Sequence, residues 1–89
     1  MKIKLELFGA SREFSNKDHL EFDIKEKIEI KDFRKIIIDY LDKNFKGNEN
    51  FKKIVTTSAF CSESNNIINN NYKITEDQKI GIIPPIGGG

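Results

Sequence analysis

Hydrophobic and charged residues alternate with a period of two at the start of the chain. Ile3, Leu5 and Leu7 are separated by charged residues, which is the pattern of a β-strand that buries one face. Phe8 falls on the opposite, polar face of this strand, at its end. The segment His19–Ile24 repeats the alternation, and its histidine lies on the polar side. The sequence therefore predicts two amphipathic strands, with His19 as a solvated strand residue.

The spacing of apolar residues changes to that of an α-helix after residue 31. Asp32 lies near the start, where the helix dipole favours an anion, and Lys43 and Lys46 lie near the end. Gly47 is placed to end the helix in the left-handed conformation. This pattern predicts one main helix whose apolar stripe packs in the core. The stripe consists of Phe33, Ile36, Ile37, Tyr40 and Leu41.

The segments that follow the helix are shorter and less regular. Phe51 and Ile54 indicate a short helical turn or an edge segment. Val55–Ser62 contains β-branched and small residues and predicts a strand. The asparagine-rich stretch from 63 to 71 predicts a hairpin, because asparagine tolerates left-handed backbone conformations. We expect this hairpin to carry a short strand at Ile67-Ile68.

The last strand is predicted at Ile80–Ile83, which is short and rich in β-branched residues. The resulting order is β-β-α-β-(β)-β, where the bracketed strand is the one in the hairpin. This order predicts an α+β fold in which one main helix packs across one face of a mixed sheet. The first and last strands would be parallel neighbours at the centre, as in the β-grasp (ubiquitin-like) fold. We expect residues 1–83 to form this domain and residues 84–89 to form a flexible C-terminal tail.

The tail has the sequence Pro84-Pro85-Ile86-Gly87-Gly88-Gly89. The prolines end the strand because neither can donate a hydrogen bond to a neighbouring strand. Terminal glycines contribute no packing, but they form a slim backbone that can enter a channel too narrow for side chains. When extended, the tail reaches about 20 Å. It is suited to deliver its carboxylate into another protein's active site, although a frayed end without function is the alternative.

Charge and cysteine content exclude several classes of partner and site. Charged residues make up 33% of the chain but nearly cancel, to a net charge of +1, and no basic cluster occurs. Nucleic acids and anionic membranes are therefore poor candidates as partners. Cys61 is the only cysteine, so it cannot form an internal disulfide, and we expect a structural thiol, buried or at a sheet edge, in a cytoplasmic protein. We find no metal-ligand spacing, and we expect no signal peptide because the start of the sequence lacks a continuous apolar segment of that length.

The order of elements and the tail together resemble the ubiquitin-like sulfur carriers, most closely the small subunit of molybdopterin synthase (the MoaD family). Pro84-Pro85 ahead of the terminal glycines is the most specific feature, because the carriers of the thiamine pathway generally lack this pair. The resemblance covers nearly the whole chain. The matching segments are Lys2–Phe8, Arg12-Glu13, Glu29–Arg34 and Ile80–Gly89.

The resemblance implies that the chain is a sulfur-donating subunit and is not catalytic alone. In that family, a MoeB-like adenylating enzyme uses ATP to activate the terminal carboxylate, here on Gly89, which is then converted to a thiocarboxylate. The large synthase subunit, a MoaE-like protein, receives the tail and transfers the sulfur to precursor Z (cyclic pyranopterin monophosphate) in molybdenum cofactor biosynthesis. The chain itself would bind no cofactor.

The resemblance also implies partner contacts at Phe8, Ile83 and Arg12. Ordinary core packing is the alternative for Phe8 and Ile83, and a surface salt bridge is the alternative for Arg12.

Other functions stay open. The chain could carry sulfur for thiamine, tRNA thiolation or cysteine synthesis, or act as a ubiquitin-like modifier. It could also be a β-grasp interaction module with an inert tail.

Overall fold

The computed structural model describes residues 1–86, which form a mixed sheet, a small second sheet and two α-helices. The helices are α1 (Ile30–Asn44) and α2 (Glu49–Thr57), and Gly9–Phe14 forms a short 3-10 helix. The strands are β1 (Lys2–Leu7), β2 (His19–Asp23), β3 (Ile28–Glu29), β4 (Ala59–Cys61), β5 (Ile67–Ile68), β6 (Lys73–Ile74) and β7 (Gln78–Ile83).

The main sheet has five strands in the order β2-β1-β7-β4-β5. The first and last strands, β1 and β7, are parallel neighbours, with Leu5 opposite Ile80. The other pairs in this sheet are antiparallel, and β3 pairs with β6 in a separate two-stranded sheet. The predicted α+β arrangement, with a central parallel pair, is confirmed as a β-grasp fold.

Helix α1 covers one face of the main sheet and forms the core with it. Phe33 on the helix packs against Phe22 of β2 and Phe60 of β4, at ring-centroid distances of 5.5 and 6.3 Å. The alternating residues predicted to face inwards from β1 are fully buried. Gly47 is left-handed as predicted, with φ of +69°, but Lys46 before it is left-handed as well, with φ of +55°, so the two residues end the helix together.

Helix α2 corrects the prediction of a strand over Val55–Ser62. The helical alternative for Phe51 and Ile54 is the correct one, because the helix begins after Asn48, whose side chain accepts a hydrogen bond from the Phe51 amide at 3.1 Å. The helix continues through the β-branched residues and buries Val55 in the core. Only Ala59–Cys61 form a strand. Burial of one helix face therefore outweighs the local preference for an extended chain.

The prediction that His19 is a solvated strand residue is wrong. Its side chain is only 18% exposed. Its Nδ1 lies 2.9 Å from an Asp18 carboxylate oxygen, and its Nε2 lies 3.4 Å from Glu21. The hydrogen bond to His19 lowers the pKa of Asp18. Strand β2 is an edge strand separated from β7 by β1, so this polar group is apart from the strand that leads into the tail.

Two kinds of feature are absent from the described residues. No helix in the range 1–86 has the length and apolar character needed to cross a membrane. The same range holds no cluster of three potential metal-ligating side chains from His, Cys, Asp or Glu.

Candidate functional site

The tail leaves the sheet from the end of its central strand. Ile82 is fully buried on the core side, and Ile83, the last residue of β7, is 36% exposed on the opposite side. Pro84 follows and lies close to Gly9, because a Cβ added to Gly9 would be 3.9 Å from the Pro84 ring. Ile86 is fully exposed. A fully exposed isoleucine beside the sheet end is available to another protein and contributes nothing to this chain's core.

A shallow groove of about 210 Å³ flanks the start of the tail. Ala10 of the 3-10 helix lines one side of it, and Ile54 and Thr57 of α2 line another. Pro84 and Pro85 complete its wall. The prolines therefore leave the domain between two packed elements, which sets the direction in which the tail starts.

The face of the main sheet that α1 leaves uncovered is apolar at the end nearest the tail. We call this region the apolar face. Across the strands, Gly81 pairs with Cys61, which pairs with Ile67, so these three residues form one row. Glu6 of β1 pairs with Gly81 in the same row and forms an ion pair with Lys79 at 3.4 Å, so charges border the apolar residues on this side. An apolar patch bordered by charges is typical of a protein-docking surface. The apolar face comprises Phe8, Ala59, Cys61, Ile67, Gly81 and Ile83.

Phe8 lies on this face because Gly81 leaves room for it. A Cβ added to Gly81 would be 2.7 Å from the Cys61 sulfur and 3.0 Å from Cε2 of the Phe8 ring. Glycine thus allows the aromatic ring to rest against the sheet, where it is 38% exposed. Cys61 lies beside the same glycine and is 9% exposed, which agrees with the predicted structural thiol.

The backbone of Phe8 is fixed by the hydroxyl of Ser11. The Phe8 amide donates to Ser11 Oγ at 3.0 Å, and Ser11 Oγ donates to the Phe8 carbonyl at 2.6 Å. Ser11 is fully buried, so its hydroxyl depends on these protein partners. The sequence interpretation missed this residue. A serine three positions after Phe8, just beyond the strand, is the signal that could have identified it, because serine hydroxyls bond to nearby backbone groups.

The structure brings some of the predicted site residues together and leaves others untested. Phe8 and Ile83 are both on the apolar face, and neither is ordinary core. Arg12 is exposed and forms no ion pair with the residues described, so the alternative of a surface salt bridge is not found there. The terminal glycines, Gly87 to Gly89, lie outside the described range, and the reactive role of Gly89 stays a prediction.

Comparison with known proteins supports the fold. No family model matches the sequence, and no curated protein has significant similarity to it. Among solved structures, the chain is similar to a Pyrococcus furiosus protein assigned as molybdopterin converting factor, subunit 1. The TM-score is 0.68 and the identity is 17%, over 96% of this chain and 98% of that one.

A second solved structure, SAMP1 from Haloferax volcanii, matches with a TM-score of 0.68 and 12% identity, over the full length of both chains. At these identities, the likeness establishes the fold. The expected resemblance to ubiquitin-like sulfur carriers is confirmed at that level, over essentially the whole length of the chain.

Proposed function

We propose that this chain is a ubiquitin-like sulfur carrier, and specifically the small subunit of a molybdopterin synthase. Its reactive group is the carboxylate of Gly89, and the catalytic side chains belong to its partners. The partners are an adenylating enzyme of the MoeB type and a large synthase subunit of the MoaE type. Because activation consumes ATP and a lone cysteine suits a reducing compartment, the proposal places the protein in the cytoplasm.

The observation that carries the proposal is the position of the tail. It leaves from the strand at the centre of the sheet, next to the apolar face, and the fully exposed Ile86 follows the proline pair. A partner can therefore hold the domain by the apolar face while it receives the tail. The resemblance of the P. furiosus protein supports the molybdenum pathway among the possible sulfur pathways.

The proposed chemistry needs an activation step because an ionised carboxylate, with a pKa of about 3.5, is a poor electrophile. A Gly89 carboxylate oxygen bonds to the α-phosphorus of ATP, and pyrophosphate leaves. Sulfide then attacks the acyl carbon, the bond from that carbon to the AMP oxygen breaks, and a thiocarboxylate remains. No oxidation or reduction is involved in these steps. In the synthase, water finally cleaves the carbon–sulfur bond to the glycine, which restores the carboxylate as the sulfur passes to the substrate.

Reconstitution of the synthase tests the pathway. The chain is prepared with a C-terminal thiocarboxylate, by intein cleavage with sulfide, and is mixed with a purified large synthase subunit and precursor Z. We expect formation of the dithiolene product, followed by mass spectrometry, and none from the carboxylate form of the chain. If an established carrier gives product in the same assay and this chain gives none, the molybdenum role is wrong. A sulfur pathway other than this one, such as thiamine or tRNA thiolation, would then be favoured.

A further inference from the structure

We propose that the free edge of β2 binds an extended segment of another protein in which basic and apolar residues alternate. The segment would extend the main sheet by one strand, on the side away from β7. This inference goes beyond the proposed function, because neither the tail nor the apolar face takes part in it.

The backbone of β2 directs a row of donors and acceptors away from the sheet. Met1 and Ile24 exchange two hydrogen bonds, at 2.7 and 2.8 Å. Near the other end of β2, the Leu7 amide donates to the Asp18 carbonyl at 2.9 Å. Because bonded and non-bonded pairs alternate along antiparallel strands, every second residue of β2 bonds to β1. The residues between them, which direct N–H and C=O to the free edge, are His19, Glu21 and Asp23.

The edge has the regular form that a further strand needs. All five residues of β2 pair one-to-one with β1 in a single register. The strand has the sequence His-Leu-Glu-Phe-Asp, which holds neither lysine nor proline. Those two residues are common devices that protect a sheet edge from pairing. The charges that β2 does carry would repel an acidic strand and attract a basic one.

The side chains along this edge identify the occupant as basic. The carboxylates of Asp18, Glu21 and Asp23 are each more than two-thirds exposed. Among the residues described, Glu21 forms an ion pair with His19 alone, and Asp23 lies 3.9 Å from the amino group of Met1. A second copy of this chain is a weaker occupant, because its own β2 is acidic at the same positions.

Strand β1 shows which sequence fits beside β2. Its lysines, Lys2 and Lys4, are opposite Asp23 and Glu21, and apolar residues alternate with them. A strand on the free edge would face the same β2 side chains from the other side. The same alternation of basic and apolar residues would therefore be complementary there.

A groove beside the edge can receive the apolar side chains of such a segment. It has a volume of about 560 Å³ and lies between β2 and the end of α1. Polar residues line part of it, and its apolar lining includes Leu20, Tyr40 and Phe45. Side chains of a paired strand alternate between the two faces of a sheet. Basic residues beside Glu21 would thus place apolar residues on the helix side, next to this groove.

The test is NMR-detected hydrogen exchange of the full chain with a synthetic peptide. The probe is a short capped peptide in which lysine and valine alternate, and the control peptide has glutamate in place of lysine. The lysine peptide should slow exchange at the amides of His19 and Glu21 at least about tenfold. The amides of Leu20 and Phe22 should be unaffected, because they already bond to β1.

Two substitutions of Glu21 separate the backbone contact from the charge. Glu21→Pro removes an N–H from the free edge and none from the pair with β1, so the domain should fold. We expect it to raise Kd for the lysine peptide at least about tenfold. Glu21→Lys keeps the backbone intact and should reverse the preference between the two peptides. Glu26→Lys, on an exposed residue beyond β2, is the matched control and should leave the preference unchanged.

Three results would overturn the proposal. The first is equal binding of the two peptides, or binding of neither. The second is protection of the free-edge amides that is present without peptide and is lost on dilution, which would identify a second copy as the occupant. The third is a set of chemical-shift changes confined to Phe8, Ile83 and their neighbours, which would place the peptide on the apolar face. The proposed function stands in each case, because Gly89 takes no part in this binding.

Discussion

The position of Phe8 depends on a glycine, Gly81, and on a buried serine, Ser11. The period-two pattern placed its side chain on the polar face of β1, and the structure confirms that face. The contacts that keep the ring there involve Gly81, which lies far away in the sequence, and the buried Ser11. Local patterns cannot reveal such contacts, because a glycine in a strand and a serine in a loop have many other uses.

Ser11→Ala tests the tether of Phe8. The substitution leaves the amide and the carbonyl of Phe8 without their side-chain partner, so we expect the free energy of unfolding to fall by about 1–2 kcal/mol. Urea denaturation followed by circular dichroism measures this. Ser15→Ala is the matched control, because Ser15 Oγ accepts only an exposed bond from the Lys17 amide. Its effect should stay within about 0.5 kcal/mol. Equal effects of the two substitutions would contradict the tether.

At the scale of elements, Arg34 joins α1 to the end of α2 and to the hairpin. Its Nη1 donates to the carbonyls of Val55 at 2.7 Å and Ser58 at 2.9 Å, and its guanidinium lies 4.7 Å from the centre of the Phe60 ring. The carbonyls at a helix end lack partners within the helix, and a cation there also favours the helix dipole. Partial burial lowers the pKa of Arg34.

Arg34→Lys should therefore loosen several elements at once. A lysine carries the charge but lacks the planar fork that reaches the helix end and Asn70 together. We expect a loss of about 2–3 kcal/mol in the free energy of unfolding. We also expect faster hydrogen exchange at the amides of Ile67 and Ile68. The control is Lys35→Gln on the exposed neighbour, which should change neither quantity. If the exchange rates in the hairpin are unchanged, Arg34 does not fix β5.

The elements differ in how far the sequence could predict them. β1 and α1 have regular periods and bury one face each, so the local pattern was sufficient. For residues 55–57, the β-branched side chains favoured a strand. These residues instead end a helix that Asn48 caps at its start, and Val55 is buried in the core. The role of Arg34 could not be predicted, because its bonds span up to 36 residues of sequence. The tail composition indicated the candidate site, and only the three-dimensional arrangement adds Ser11, Gly81 and Ile67 to it.

At the scale of the whole molecule, the fold separates stability from the reactive end. Residues Ile80 and Ile82 of β7 are fully buried, whereas Ile83 and Ile86 are exposed beyond them. The strand that completes the core is thus the strand that leads directly into the tail. In the proposed function, this arrangement allows the terminal residues to react without disturbing the packed domain. It also places the tail beside the apolar face, so one partner can contact both.

The most direct test of the carrier function is the intact mass of the chain after incubation with ATP, a cognate adenylating enzyme and sulfide. We predict a gain equal to the exchange of one oxygen for sulfur, located at Gly89 by fragmentation. A chain that lacks Gly89 should show no gain but should keep the wild-type melting curve, because the last strand of the packed sheet ends at Ile83. An unchanged mass of the full chain, with an enzyme that is active on another carrier, would contradict the proposal and favour an interaction module with an inert tail.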